Sequence, residues 1–228
     1  MSETLFNIVP TSDRFDPAAM LHVEVIADFV CPFSFLGKRR LDRALEAVQG
    51  PTHRSWYTFQ LNPQMPPDGL PFEQYLQMRF GGRDNIEPVL EHLVDEGRAD
   101  GIHFDFDRIR HVPSTLPAHQ VMQAVEGRGE DAAVLAEGMM SAFFEQGLNI
   151  GEQDVLVDHA AAAGLRADET RAAIGSDVAR QAVVTREAQV RSSGLNAAPG
   201  FLLNRRLLVV AAQPTDKLVN AFDRAMFG

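Results

Sequence analysis

The chain has 228 residues and a single cysteine, Cys31, so no disulfide can form within it and no four-thiolate zinc or iron–sulfur site can be assembled. A small secreted scaffold stapled by disulfides is thereby excluded. No run of about 18 apolar residues occurs. The best short run, residues 207–212, has the length of a strand. The first 19 residues carry Glu3, Asp13, Arg14 and Asp16 among scattered apolar positions. They lack the basic and apolar regions of a signal peptide, so a cytoplasmic protein is expected. Positive charge is in deficit: 21 Lys and Arg against 31 Asp and Glu give a net charge of −10, which argues against nucleic acid or an anionic membrane as partner. Gly127-Arg128-Gly129 lacks the spacing and preceding strand of a dinucleotide fingerprint, and no Gly-x-Ser-x-Gly elbow nominates a serine triad. Seven histidines invite a metal, yet His92, His103, His111 and His119 stand 11, 8 and 8 residues apart, form no i, i+4 ligand pair, and no metal is expected.

What is present is the composition of an ordinary globular protein, 45% hydrophobic and 23% charged. Residues 21–30 (LHVEVIADFV) are rich in Val, Ile and Phe and read as a strand. Leu41, Ala44, Leu45 and Val48 then recur at i, i+3, i+4, i+7, the signature of an amphipathic helix. That helix is expected to begin near Pro32, where a missing N–H breaks no ladder bond, and to stop near Gly50-Pro51. A second strand is expected over residues 54–61.

From Phe72 to about Ser193 the apolar period is helical, and glycines and prolines cut the stretch into several helices, the last capped by Ser176. The segment His103-Phe104-Asp105-Phe106-Asp107 alternates like a short strand or extended loop. The pattern then returns to β over residues 200–203 and 207–211, around a turn at Asn204-Arg205 that lacks the usual glycine and so leaves the register open. Pro214 opens a last helix with Leu218, Phe222 and Met226 on one face. This order describes an α/β protein in which a thioredoxin-type sheet is interrupted by a large helical insertion. The discontinuous sheet domain is expected at residues 20–70 and 195–228, with the inserted helical subdomain at 71–194.

The chemistry concentrates in Asp28-Phe29-Val30-Cys31-Pro32-Phe33-Ser34-Phe35-Leu36-Gly37. A thiol in the first turn of a helix meets free backbone N–H groups and the positive end of the helix dipole, both of which favour thiolate. A lowered thiol pKa and a nucleophilic Cys31 are therefore expected. A lone cysteine is more often a small buried hydrophobe; the Cys-Pro step between strand and helix, with a hydroxyl at Ser34, moves the balance toward function.

This segment resembles the active-site stretch of the DsbA-like branch of the thioredoxin superfamily, in particular FrnE-like dithiol-disulfide isomerases, whose pattern is Asp-x-x-Cys-Pro-Trp-Cys-Tyr-x-Gly-Lys. Asp28, Cys31, Pro32, Gly37 and Lys38 are in register with it. The likeness continues in residues 60–66 (QLNPQMP), Ala118-His119, residues 142–147, Ala198-Pro199, Asn204 and Ala212-Gln213-Pro214. It implies a cis peptide before Pro199 facing Cys31. It also implies a thiol-binding cleft lined by Pro32, Phe33, Asn62, Ala198, Pro199 and Gln213, no tightly bound cofactor, and, since such proteins commonly pair, a homodimer.

Ser34 stands where the second, resolving cysteine belongs, and a hydroxyl cannot release a substrate from a mixed disulfide. The resemblance then implies one of two chemistries. In the first, Cys31 and Ser34 form a single-thiol site: Cys31 attacks a small thiol or disulfide-containing substrate and an external thiol such as glutathione, as co-substrate, resolves the product. In the second, Cys-Pro-Phe-Ser-Phe-Leu is similar to the Ser-Pro-Tyr-Ser-x-Leu stretch of kappa-class glutathione transferases and 2-hydroxychromene-2-carboxylate isomerases, which use glutathione without thiol exchange. A non-catalytic thioredoxin-fold binding protein or chaperone is a third reading.

Overall fold

The computed structural model describes residues 20–130 and 132–228; the leader read above for targeting lies outside the described residues. Strand β1 (Leu21–Ala27) is followed by helix α1 (Pro32–Glu46) and strand β2 (Thr52–Thr58), which returns parallel to β1 with Val25 opposite Trp56. After the intervening segment come β5 (Gly200–Leu203), β6 (Leu207–Val210) and α9 (Thr215–Phe227). The four strands form one sheet in the order β2-β1-β5-β6, in which β5 runs antiparallel to β1 with Phe201 opposite Val25.

β1 is buried along almost its whole length, as a strand covered on both faces must be, and this explains its unbroken Val and Ile content. Phe35 and Leu41 of α1 and Leu218 and Phe222 of α9 join the core with Val23, Val25 and Phe201 of the sheet. Ile26, Tyr57, Phe59 and Leu202 face the other way and form a smaller cluster with Val190 and Leu195.

The segment between the two halves of the sheet folds into α2 (Phe72–Phe80), α3 (Arg83–Ala99), α4 (Leu116–Gly127), α5 (Ala132–Phe144), α6 (Gln153–Ala162), α7 (Ala167–Ile174) and α8 (Asp177–Ser192). Ser176 caps α8 as its composition implies, its Oγ accepting from the Ala179 amide at 3.1 Å. The alternating Phe104 and Phe106 lie in an extended loop, where their rings stack at 5.3 Å and meet Phe144; Phe35 of α1 joins them at 5.9 Å from Phe104. One apolar cluster thus runs from the sheet through α1 into the inserted helices. Polar contacts repeat the tie. Lys38, almost wholly buried, reaches Asp42 at 2.8 Å and Glu137 of α5 at 2.5 Å, while Arg40 bonds Asp100 at 2.7 Å and the Ala212 carbonyl at 2.7 Å.

Two local expectations are corrected, and one left open is settled. β2 ends at Thr58 rather than near residue 61, because beyond it the Leu61 amide and the Gln60 carbonyl bond side chains instead of the sheet. β3 (Leu70–Pro71) pairs over two residues with β4 (His111–Val112), which lies within the segment read as helical and is too short to leave a periodic signal. The β5–β6 turn closes without glycine, with Asn204 and Arg205 at φ 48° and 54°. Asn204 Oδ1 accepts from the His22 amide at 2.7 Å and its Nδ2 donates to the Ala225 carbonyl at 3.3 Å, which holds this left-handed residue in place.

Candidate active site

Cys31 is the N-cap residue of α1: its backbone is extended, Pro32 occupies the first helical turn, and its carbonyl accepts from the Ser34 amide at 2.9 Å. The preceding Asp28 is completely buried and organises the surroundings. Its Oδ1 accepts from the Phe29 amide at 2.8 Å and from His119 Nε2 of α4 at 3.2 Å, and its Oδ2 accepts from the Leu61 amide at 2.5 Å. The Asp28 amide in turn donates to Ser34 Oγ at 3.4 Å, which leaves the Ser34 proton free for the Cys31 sulfur. One carboxylate therefore joins the end of β1, the loop after β2 and α4, while its own backbone reaches the first turn of α1.

Opposite the thiol, the Ala198-Pro199 bond is cis. The Cys31 thiol donates to the Ala198 carbonyl, with Sγ 3.6 Å from the oxygen. Close approach of α1 to this loop requires Gly37, because a Cβ there would lie 2.9 Å from Pro199 Cγ and 3.2 Å from the Phe201 ring.

The electrostatics correct the expectation of a lowered thiol pKa. Cys31 is 4% exposed, and burial pushes its thiol up. The Ser34 hydroxyl and the Ser34 amide pull it down, the Asp28 charge pushes it up again, and the Phe33 amide pulls down less strongly. Burial wins, and the resting group is a thiol. The helix start supplies the N–H groups foreseen from sequence, but whether neighbouring elements bury the sulfur is decided far away in the chain.

Of the other residues nominated from sequence, Ser34 is buried against Cys31 and Asp28, and Pro32 is half-buried. Phe33 is 39% exposed beside the thiol, an unusual place for so large an apolar ring. Asn62 follows the segment bonded to Asp28, and its Nδ2 donates to the Tyr75 hydroxyl at 3.4 Å. Gln213 spends its side-chain amide on the Val210 carbonyl of its own turn at 2.9 Å and forms no bond to Cys31.

Tyr75 of α2 was not legible in the sequence. Burial pushes its phenol up, Asn62 and Arg79 pull it down, and the Asp28 and Cys31 charges push it up, which places the phenol within electrostatic reach of the thiol. Its only sequence signal was scarcity, as one of two tyrosines. Among the described residues no cluster of three His, Cys, Asp or Glu is arranged to hold a metal ion, and no helix is long and apolar enough to cross a membrane.

A helix-borne thiol at the carboxyl end of the inner strand of a mixed sheet is the arrangement of a thioredoxin-fold thiol protein. The chain belongs to the DsbA-like thioredoxin domain family, whose model matches residues 22–223. It is similar to the probable DsbA oxidoreductase SCO1869 of Streptomyces coelicolor, with 26% identity and a TM-score of 0.81 over 90% of this chain and 89% of that one. The protein YwbO of Bacillus subtilis is 26% identical over 204 residues, 84% of this chain and 91% of its own. The fold is also shared with the cytosolic disulfide reductase DsbM of Pseudomonas aeruginosa, solved with GSH, at 19% identity and a TM-score of 0.57 over 90% and 95% of the two chains.

Proposed function

We propose that the protein is a single-thiol disulfide reductase or isomerase in which Cys31 is the nucleophile and an external thiol, glutathione first among candidates, completes the cycle. The observation that carries this reading is the placement of the only sulfhydryl group at the N-cap of α1, bonded to the Ala198 carbonyl at 3.6 Å and adjoining the Ser34 hydroxyl where a second thiol would stand. The family supports thiol–disulfide chemistry, and the GSH in the DsbM structure supports the choice of external thiol.

In the first step Cys31 loses its proton, and the thiolate, held by the Ser34 hydroxyl and the Phe33 and Ser34 amides, attacks one sulfur of a disulfide R–S–S–R′. A Cys31–S–S–R bond forms, the R–S–S–R′ bond breaks, and R′–S⁻ leaves and takes up a proton. An external thiolate then attacks the R sulfur, forms a new disulfide with R and returns Cys31 as thiolate. Because resolution needs a plentiful external thiol, the reading fits a reducing compartment such as the cytoplasm. In this reading Asn62, Phe33 and the Ala198-Pro199 loop contact the bound thiol compound.

Intact-mass measurement after incubation with oxidised glutathione tests the proposal. One glutathionyl group on the wild-type chain, absent from Cys31→Ser, is expected. Tight binding of reduced glutathione with no adduct would replace exchange by transferase- or isomerase-like chemistry, and neither adduct nor binding would leave a binding protein.

A further inference from the structure

The loop that carries Asn62 is gripped from two sides. On one side the Leu61 amide is bonded to Asp28. On the other side α8 supplies a closed set of hydrogen bonds: Arg191 Nη2 donates to the Gln60 carbonyl at 2.6 Å, Arg191 Nε to Glu187 Oε1 at 2.9 Å, and Gln60 Nε2 to Glu187 Oε2 at 2.6 Å. The guanidinium also lies 4.3 Å from the centre of the Phe59 ring. In sequence Glu187 and Arg191 are an i, i+4 pair of the kind that decorates solvated helix faces and contributes a few tenths of a kcal/mol. Here Glu187 and Gln60 are each 5% exposed, and the pair is built into the loop instead of facing water. The Gln60 carbonyl and side-chain amide are each met by a group of α8, so the backbone leading to Asn62 is tied to that helix.

We propose that Glu187 and Arg191 are positioning residues for the thiol substrate, setting its affinity through Asn62 while leaving the Cys31 sulfur itself untouched. The proposal rests on the reading that a thiol compound binds beside Asn62 and resolves Cys31. It assigns to the last inserted helix a task in the reaction: α8 holds the binding loop at Gln60, while Asp28 holds it at Leu61 and also adjoins the first turn that carries the nucleophile.

The test uses the full chain and three variants, Arg191→Met, Arg191→Lys and Glu187→Gln. Resolution of the Cys31–glutathione mixed disulfide by reduced glutathione is followed as KM and kcat, and alkylation of free Cys31 by iodoacetamide is followed in parallel. Arg191→Met is expected to raise KM about five- to tenfold, as loss of a charge-assisted hydrogen bond does, with kcat and the alkylation rate within about twofold of wild type. Arg191→Lys, which keeps one donor for the Gln60 carbonyl, falls between, and should Arg191→Met fail to fold, Arg191→Lys and Glu187→Gln carry the same comparison. A lowered Tm with KM unmoved in the variants overturns the proposal, and so does a fall in kcat at constant KM. A wild-type protein that takes up no glutathione overturns the underlying reading instead, and does so before any variant is made.

Discussion

Two buried acidic residues flank Val25–Ala27, Glu24 within β1 and Asp28 immediately after it, and they are treated in opposite ways. At the carboxyl end of β1, Asp28 has both oxygens bonded, to two backbone amides and an imidazole. Nearer the amino end, Glu24 directs only Oε1 to partners, Arg205 at 2.8 Å and the Tyr57 hydroxyl at 3.4 Å, while Oε2 is buried and unbonded. Burial pushes the Glu24 carboxyl up, with Arg205 and Tyr57 pulling against it. A carboxylate whose acceptors are all filled fixes the elements that fill them; one that is half-filled merely tolerates its place. The thiol stands beside the first kind, which is where a nucleophile can be held in register with a substrate.

The largest break in this comparison is expected from Asp28→Ala. It leaves two buried amides and the His119 ring without an acceptor and costs about 3–5 kcal/mol in denaturant unfolding. Glu24→Gln retains an oxygen for Arg205 and should change stability at neutral pH by less than about 1 kcal/mol. Equal losses in the two variants would dissolve the distinction between the sites.

A second effect is read on the sulfur. Ser34→Ala removes the hydroxyl that pulls the Cys31 thiol down, so the midpoint of its alkylation-rate profile moves to higher pH. At neutral pH the rate falls up to about tenfold, one decade per pKa unit. A rate unchanged or raised would mean that Ser34 does not support the thiolate. Ser34→Cys should close an internal disulfide with Cys31 under mild oxidation, detected as loss of two free thiols, and its failure would contradict the first-turn geometry.

A third effect is read in the pH dependence of stability, at another carboxyl. Glu126 of α4 accepts from the Trp56 amide at the outer edge of β2, and burial pushes its carboxyl from 4.5 to about 7. An acid whose folded pKa lies above its unfolded one stabilises the fold below the unfolded value and loses that contribution as pH rises through the folded value. Stability should therefore decline between about pH 4.5 and pH 7, the Glu24 carboxyl adding a decline of the same sign, and Glu126→Gln should flatten the slope. A steeper slope in the variant would contradict the assignment.

Elements with strong local patterns were legible in the sequence: the apolar run of β1, the Pro32 start of α1, the Ser176 cap of α8 and the amphipathic α9. Legible too were Cys31, Ser34 and the facing Ala198-Pro199 loop, because motif order placed them at the junction of strand and helix. What escaped was non-local. The sulfur is buried by elements distant in sequence, so burial could not be weighed against the helix start. Tyr75 and Arg191 come to the site from helices whose inward faces no period distinguishes from their outward ones. Asp28 was visible as a residue of the motif, but its bonds to Leu61 and His119 join positions 33 and 91 residues away.

In the proposed function one thiol suffices because its partner comes from outside the chain. Cys31 is first loaded with a single glutathionyl group from oxidised glutathione, freed of excess reagent and then mixed with reduced glutathione while free thiol and released oxidised glutathione are counted. Full recovery of the Cys31 thiol is expected, with one oxidised glutathione released per chain. An adduct that persists in the presence of reduced glutathione would contradict it.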